Sequence, residues 1–205
     1  MVVIVTKTVD RQVLPPLASM FEDRKRVFID LFRWDLHIVG ERFEIDKFDD
    51  DDAVYLLESD HAGGHLGSLR LLRADQPHIL GSVFPYLCEE AVPMASDTRE
   101  ITRLCLSPRL SAGQRLHIRN QLISAMVDYG LACGIRTLTG VVSVRFLSQV
   151  LAMGWRCSCL GQPQKVAGST IAAFRVELDE ATPRQLLATG IYVARTINEH
   201  LENLL

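Results

Sequence analysis

The chain has 205 residues, enough for one domain, or two small ones, with a full hydrophobic core. Apolar residues make up 48% and charged residues 23%, an ordinary globular balance that argues against disorder, and no apolar run approaches the roughly 18 residues of a membrane span. The net charge of −3 hides an asymmetry: residues 1–100 hold 11 Lys/Arg against 19 Asp/Glu, whereas residues 101–180 hold 9 against 4. An acidic half suits a cationic ligand and a basic half an anionic carrier, while an acidic pI with scattered basic residues argues against nucleic acid. Five dispersed cysteines (Cys88, Cys105, Cys133, Cys157, Cys159) read as reduced thiols, so a cytoplasmic location is expected.

Met1 to Thr8 is β-branched, lacks a basic leader, and predicts a first strand instead of a signal peptide. From Leu14 to about Leu36 the spacing of Leu17, Met20, Phe21, Val27, Phe28 and Leu31 predicts an amphipathic helix. His37 to Asp52 is acidic and aperiodic and reads as a loop, with Asp50, Asp51 and Asp52 facing solvent. Ala53–Glu58 and His65–Leu72 flank Asp60-His61-Ala62-Gly63-Gly64, which predicts an antiparallel hairpin. Pro77 to Pro93 is irregular, with a short helix expected near Phe84 to Cys88.

Glu100–Leu106 is a strand, and Gly113–Cys133 a long helix stopped by Gly134. Thr137–Val142 is a strand, Val144–Met153 a helix, and Trp155–Leu160 and Ile171–Leu178 are strands. Thr182, with Pro183 behind it, opens a terminal helix predicted to reach Leu205. The order implies an α/β fold in one domain, with a mixed, mostly antiparallel sheet and helices on both faces. It is similar to the acyl-CoA N-acetyltransferase (GNAT) fold, in which a thioester enters a cleft between two splayed strands; here those are the strands around Arg103 and Leu138 to Val142.

The first half carries a series of motifs in order. Arg24, Phe28 and Trp34 lie on or after the first helix. Glu44-Ile45-Asp46-Lys47-Phe48-Asp49 fits E-x-D-x-x-D, and Gly67-Ser68-Leu69-Arg70-Leu71 fits G-x-x-R-L. Phe84 follows Pro77-His78-Ile79-Leu80, and Glu100-Ile101-Thr102-Arg103 fits E-x-x-R. Each is weak alone; together they closely resemble the autoinducer synthase family, whose members make acyl-homoserine lactones. The resemblance is sharpest from Arg24 to Arg103 and looser to about Leu178.

The resemblance implies a reaction between S-adenosylmethionine and a fatty-acyl thioester, carried by acyl-carrier protein or CoA, that releases methylthioadenosine. S-adenosylmethionine is then a consumed substrate, and no cofactor is implied. Arg24, Phe28, Trp34, Asp46, Asp49, Arg70, Phe84 and Arg103 would shape its pocket, with the acidic loop folding over it. The residue types suit the chemistry: carboxylates for the cation, guanidinium groups for the carboxylate, and aromatic faces for ring and sulfonium. Phe28 and Phe84 also read as plain core residues. The acidic run lacks the glycine and terminal glutamate of a calcium loop, so no metal is expected.

Amide formation needs a base for the α-amine. Glu100, on the central strand, is the first choice, and Glu44 the second. A Glu100–Arg103 salt bridge is the structural alternative, but residues three apart on a strand face opposite ways unless a bulge intervenes. Such a bulge would also free backbone N–H groups to polarise the thioester carbonyl. The acyl chain is expected beneath Leu104, Leu122, Met126, Val142, Ser143, Phe146 and Leu151. Gly140 stands where some relatives using 3-oxo chains carry threonine, and Leu104 replaces the phenylalanine usual in the family after the motif arginine, which leaves the chain class open. The alternative is a GNAT-type N-acyltransferase that uses acyl-CoA on another amine, but the glycine pattern of its pyrophosphate loop is defective in Arg109-Leu110-Ser111-Ala112-Gly113-Gln114-Arg115.

Overall fold

A computed structural model describes residues 1–6 and 15–194. The chain runs β1 (Val3–Val5), α1 (Pro15–Arg24), a π-helix (Lys25–Leu31), β2 (Ile38–Val39), β3 (Phe43–Glu44), β4 (Val54–Ser59) and β5 (His65–Arg73). It continues with α2 (Ile79–Ser82), a 3₁₀ turn (Pro85–Leu87), β6 (Thr98–Leu106), α3 (Ala112–Ala132), β7 (Thr137–Ser143) and α4 (Val144–Leu151). The last elements are β8 (Arg156–Cys159), β9 (Gln164–Val166), β10 (Ser169–Glu177) and α5 (Thr182–Ala188).

The main sheet has the order β1-β4-β5-β6-β7-β10-β8, with β9 also beside β10. Every pairing in it is antiparallel except β6 with β7. Its two faces are covered differently. α3, α4 and α5 bury Leu122, Met126, Leu147, Val150 and Leu186 with Leu71, Leu138, Phe174 and Val176. α1 buries Leu17, Met20 and Phe21 on the opposite face, against Tyr55, Leu57 and Leu72. The mixed sheet with helices on both faces is therefore as the element order predicted, and no helix among the described residues is long and apolar enough to cross a membrane.

Several expectations are corrected. The first helix is α-helical only to Arg24; it widens into the π-helix and stops at Leu31, short of Leu36, while Leu14 lies outside the described residues. The amides of Phe32 and Trp34 bond Val27 O and Phe28 O at 3.0 and 2.9 Å, and Arg33 takes a positive φ of 59°. Inserted π turns of this kind occur often at functional sites. The acidic stretch 37–52 is not all loop, because β2 and β3 form a small hairpin whose second strand carries Glu44. The terminal helix ends at Ala188: Gly190 has φ 74°, and the Ile191 amide turns back to Leu186 O at 2.9 Å. Ile191 and Tyr192 then pack into the core, and residues 195–205 fall outside the described region.

The first strand spans Val3–Val5 against β4, and Lys7 and Thr8 of the expected strand lie outside the described residues. Between Pro77 and Pro93 the helical piece is divided, with α2 ahead of Phe84 and the 3₁₀ turn after it. The hairpin expected around residues 60–64 is present, with Tyr55 opposite Arg70.

The central feature is the divergence of β6 and β7. Their parallel register runs from Thr98–Thr137 to Ile101–Gly140 and ends there. Beyond it β6 continues to Leu106 along β5, and β7 continues to Ser143 along β10. Two strands that share a base and part toward their C-terminal ends leave a V-shaped cleft, as the similarity to the GNAT fold implied.

Candidate functional site

Three arginines and three carboxylates from five elements meet on the α1 face beside this cleft. Arg24, at the α1–π junction, donates from Nε to Glu44 Oε2 at 2.6 Å and from its terminal nitrogens to both Asp49 oxygens at 2.8 and 2.9 Å. Arg70, in β5, forms a two-pronged bond to Asp46 at 2.7 and 3.0 Å, meets Asp49 Oδ1 at 2.7 Å, and donates from Nε to Thr102 Oγ1 at 2.9 Å. Arg103, in β6, reaches Glu44 Oε1 at 2.9 Å and Asp46 Oδ2 at 2.8 Å. Tyr55 donates to Asp49 at 2.7 Å, and the Asp46 amide to Asp49 at 2.8 Å. Charges balance within the cluster, as a buried set of ions requires.

Access to this cluster is uneven. The side chains of Arg24 and Arg70 are 1% exposed and those of Glu44 and Asp49 are sealed, whereas Arg103 shows 10% and Asp46 16%. Burial alone would push the Asp46 and Asp49 carboxyls up, but Arg70 and Arg24 offset it and hold both below the usual carboxylate range. Arg103 and Asp46 are therefore the two members of the cluster open to solvent, with the other four buried beneath them. The aromatic residues cap the same edge. Phe28 and Trp34 stack at 5.1 Å with planes 7° apart, and the Arg103 guanidinium lies over the Phe28 ring at 5.7 Å. Trp34 remains 47% exposed.

Arg103 owes its direction to a β-bulge. Ser68 pairs with Cys105 and Arg70 with Thr102, so Leu69 faces both Arg103 and Leu104, and Arg103 adopts φ 52°. The bulge resets the alternation of β6, so that Glu100, Thr102 and Arg103 all serve the α1 face. Arg103 does not take Glu100 as its partner; it is bound to Glu44 and Asp46.

Glu100 is fully buried beneath α2, where its Oε1 accepts from the Leu80 amide at 2.9 Å. Burial raises its carboxyl to about 7, against the opposing pull of the Leu80 and Ile79 amides and of Arg70 and Arg103. Glu44, the second choice for the base, has both oxygens engaged by two guanidinium groups.

The proposed acyl-chain residues separate by position. Leu122 and Met126 on α3 are buried in the main core, with Leu104, Val142 and Phe146 packed around them. Ser143 caps α4 by accepting from the Phe146 amide and is exposed, as is Leu151 at 41%. Phe84 packs with Leu80, Leu87, Val141 and Ile171, edge-on to Tyr86. Gly140, at the base of the V, lies beneath Phe174, whose ring would be 2.8 Å from a Cβ placed there.

The residues absent from the sequence reading are the ones that brace this set. Tyr55 and Thr102 bond Asp49 and Arg70; both stand on the rung of Arg70, a relation that strand register alone exposes. Asp23 and His65, both sealed, are joined at 2.9 Å, and His65 continues to Ser68 at 3.0 Å. Burial would raise the Asp23 carboxyl, but hydrogen bonds from His65, Ser107 and Arg26 hold it at about 2. This group clamps α1 to β5 one residue before Arg24.

The sequence profile of the autoinducer synthases matches residues 12–186. The chain belongs to the autoinducer synthase family. An acyl-homoserine-lactone synthase of Rhizobium etli is 31% identical over 153 residues, covering 73% of this chain and 72% of its own. That of Aeromonas salmonicida is 32% identical over 173 residues, covering 81% and 82%. Among solved structures, the CoA-dependent acyl-homoserine lactone synthase BjaI with MTA superimposes with TM-score 0.83 at 22% identity, over 95% of this chain and 90% of its own. TofI in a ternary complex with an inhibitor and MTA gives 0.76 at 25% identity, over 91% and 96%. An N-acetyltransferase from Lactobacillus plantarum shares the fold more distantly, at 0.57 and 15% identity over 87% and 98%.

For an autoinducer synthase, the start of α3 is informative. Ser111 accepts from the Gln114 amide at 3.4 Å while Gln114 accepts from the Ser111 amide at 2.9 Å. This reciprocal cap occupies first-turn amides that an acetyltransferase loop offers to pyrophosphate, so membership of the family and the local geometry disfavour the general N-acyltransferase alternative together.

Proposed function

We propose that the chain makes an N-acyl-homoserine lactone from S-adenosylmethionine and a fatty-acyl thioester, in the cytoplasm. The observation that carries this reading is the half-open edge of the ion cluster: Arg103, Asp46 and the Phe28–Trp34 stack, lying beside a β6–β7 cleft. A guanidinium, a carboxylate and an aromatic face match the substrate's carboxylate, ammonium and sulfonium. Arg24, Glu44, Asp49 and Arg70 act beneath them by holding Asp46 and Arg103 in place.

In this mechanism Glu100 accepts a proton from the α-amine, directly or through a water. A carboxyl raised to about 7 is suited to that task near neutral pH. The neutral amine attacks the thioester carbonyl in the cleft, where the edge of β6 turned away from β5 has no β7 partner beyond Ile101 and its amides stabilise the oxyanion. Collapse expels the carrier thiol and forms the amide. The substrate carboxylate then displaces methylthioadenosine from the carbon next to sulfur, closing the lactone. Leu104, Leu122, Met126, Val142 and Phe146 line the route for the acyl chain. Phe84 shapes the α2 wall.

The acyl donor is acyl-carrier protein or CoA, and the basic second half favours the acidic protein carrier. The test is a paired assay on purified protein. Free thiol and methylthioadenosine should appear in equal amounts when both substrates are present. Thiol released without methylthioadenosine would point to a plain acyltransferase or thioesterase.

A further inference from the structure

Three adjacent strands place Glu100, Thr139 and Arg175 side by side. Glu100 is paired with Thr139 in the parallel β6–β7 ladder, and Thr139 with Arg175 in the antiparallel β7–β10 ladder. Residues on one rung share a face, with Cβ atoms roughly 5 Å apart. Glu100 and Thr139 are both fully buried. Among the described residues, Glu100 Oε2, Thr139 Oγ1 and Arg175 Nε are each buried without a hydrogen-bond partner. Three such atoms on consecutive strands are costly and demand an explanation.

Their chemistry is complementary and has a direction. A guanidinium Nε–H only donates, a hydroxyl both accepts and donates, and a carboxylate only accepts. The row therefore reads Arg175 to Thr139 to Glu100, closed directly or through one water. It begins at the half-exposed end of Arg175, whose terminal nitrogen meets Glu177 at 3.5 Å, and ends one rung short of the V.

We propose that Thr139, backed by Arg175, is a positioning residue that donates to the second oxygen of Glu100 and keeps this carboxyl in the orientation and charge state that receive the amine proton. The proposal rests on the reading of Glu100 as the base. The other groups bearing on Glu100 are the Leu80 and Ile79 amides from α2, Arg70 from β5 and Arg103 from β6. His78, at the start of α2, is turned through Nδ1 to Gln76 O at 2.8 Å. The arginines act through charge from the cluster side, so Thr139 is the neutral donor on the opposite flank.

The test is the pH dependence of kcat/KM for Thr139→Val, Thr139→Ser, Arg175→Gln and Glu100→Gln beside the wild-type protein. A donor lost from a carboxylate favours its protonated form, so Thr139→Val should move the acid limb upward by about one pH unit. Activity should be roughly tenfold lower on that limb and converge with wild type at high pH. Thr139→Ser should keep the wild-type limb, and Arg175→Gln should shift it less in the same direction. Arg175→Gln also serves as the deciding variant if Thr139→Val does not fold.

A purely structural role would lower the whole profile without moving the limb, and that result overturns the proposal. Glu100→Gln separates the two failures. If it abolishes the limb while Thr139→Val leaves it in place, only the role of Thr139 is wrong. If it keeps the limb, Glu100 is not the base and both readings fall.

Discussion

Arg103 and Glu44 are 59 positions apart, yet they meet at 2.9 Å because a bulge in β6 turns Arg103 toward a two-residue strand, β3, that holds Glu44. This contact links the floor of the cluster to its reachable edge. It also separates the cluster's two sealed arginines, Arg24 and Arg70, from its reachable one.

Arg24→Met should mainly cost stability, because it takes from each of the buried carboxylates Glu44 and Asp49 one of its two guanidinium partners. The loss is about 3–5 kcal/mol, or roughly 10 °C in Tm for a chain of this size. Arg103→Met, at the exposed edge, should melt much closer to wild type while raising the KM for S-adenosylmethionine roughly 10- to 100-fold. Thermal melts and steady-state kinetics on the two variants check the division; equal losses of stability would refute it.

Stability should depend on pH in two opposed ways. The Asp23 carboxyl is held at about 2, and that of Asp49 is also depressed, so their contribution is present above the unfolded value near 4 and is lost as pH falls through their folded values. Glu100 acts with the opposite sign. Its carboxyl is raised from 4.5 to about 7, so the fold is progressively destabilised as pH rises across that window. Glu100→Gln should therefore match wild type near pH 4 and melt at the higher temperature at pH 8. Chemical denaturation at the two pH values provides the measurement, and an unchanged difference would show that Glu100 is not held protonated.

Gly140→Ala places a methyl 2.8 Å from the Phe174 ring and 3.2 Å from Ile101 O. Ile101 O is backbone at the base of the V and cannot withdraw, so Phe174 must tilt. The cost should be roughly 1–3 kcal/mol, and the preferred acyl chain should change, read by competition between thioesters of different length. Unchanged preference would remove this corner from the acyl route.

Charge reversal at Arg115 and Arg119 should raise the KM for acyl-carrier protein at low salt and leave that for S-adenosylmethionine unaltered. The difference should fade toward 1 M salt, where the Debye length is about 3 Å instead of about 10 Å at 0.1 M. Arg115 also donates to Leu110 O at 2.7 Å, so a melt must accompany the kinetics. Wild-type handling of acyl-carrier protein by the double variant, or a far better rate with acyl-CoA, would exclude carrier steering.

Much of the architecture was legible because its signals are local. Apolar spacing marked α3, alternation and turn formers marked β4 and β5, and the E-x-x-R spacing required a bulge if Glu100 and Arg103 were to share a face. What stayed hidden depends on register or on backbone detail. The π turn after Arg24 has the same apolar pattern as an α-helix. β3 is too short for periodicity to register. Tyr55 and Thr102 belong to the cluster only because both stand opposite Arg70, and the Glu100–Thr139–Arg175 row exists only once three strands are aligned. The overlong terminal helix failed at Gly190, where a positive φ lets Ile191 and Tyr192 fold back into the core.

The central claim concerns the fate of the methionine carboxylate. Bacteria lacking signal synthesis, expressing the chain and fed methionine labelled with carbon-13 at its carboxyl, should release an acyl-homoserine lactone that carries the label in its ring, detected by mass spectrometry of the medium. The lactone should vanish in Glu100→Gln cells that contain the folded protein. An N-acylated product without the labelled ring, or no lactone from cells with abundant wild-type protein and both substrates, would contradict the account.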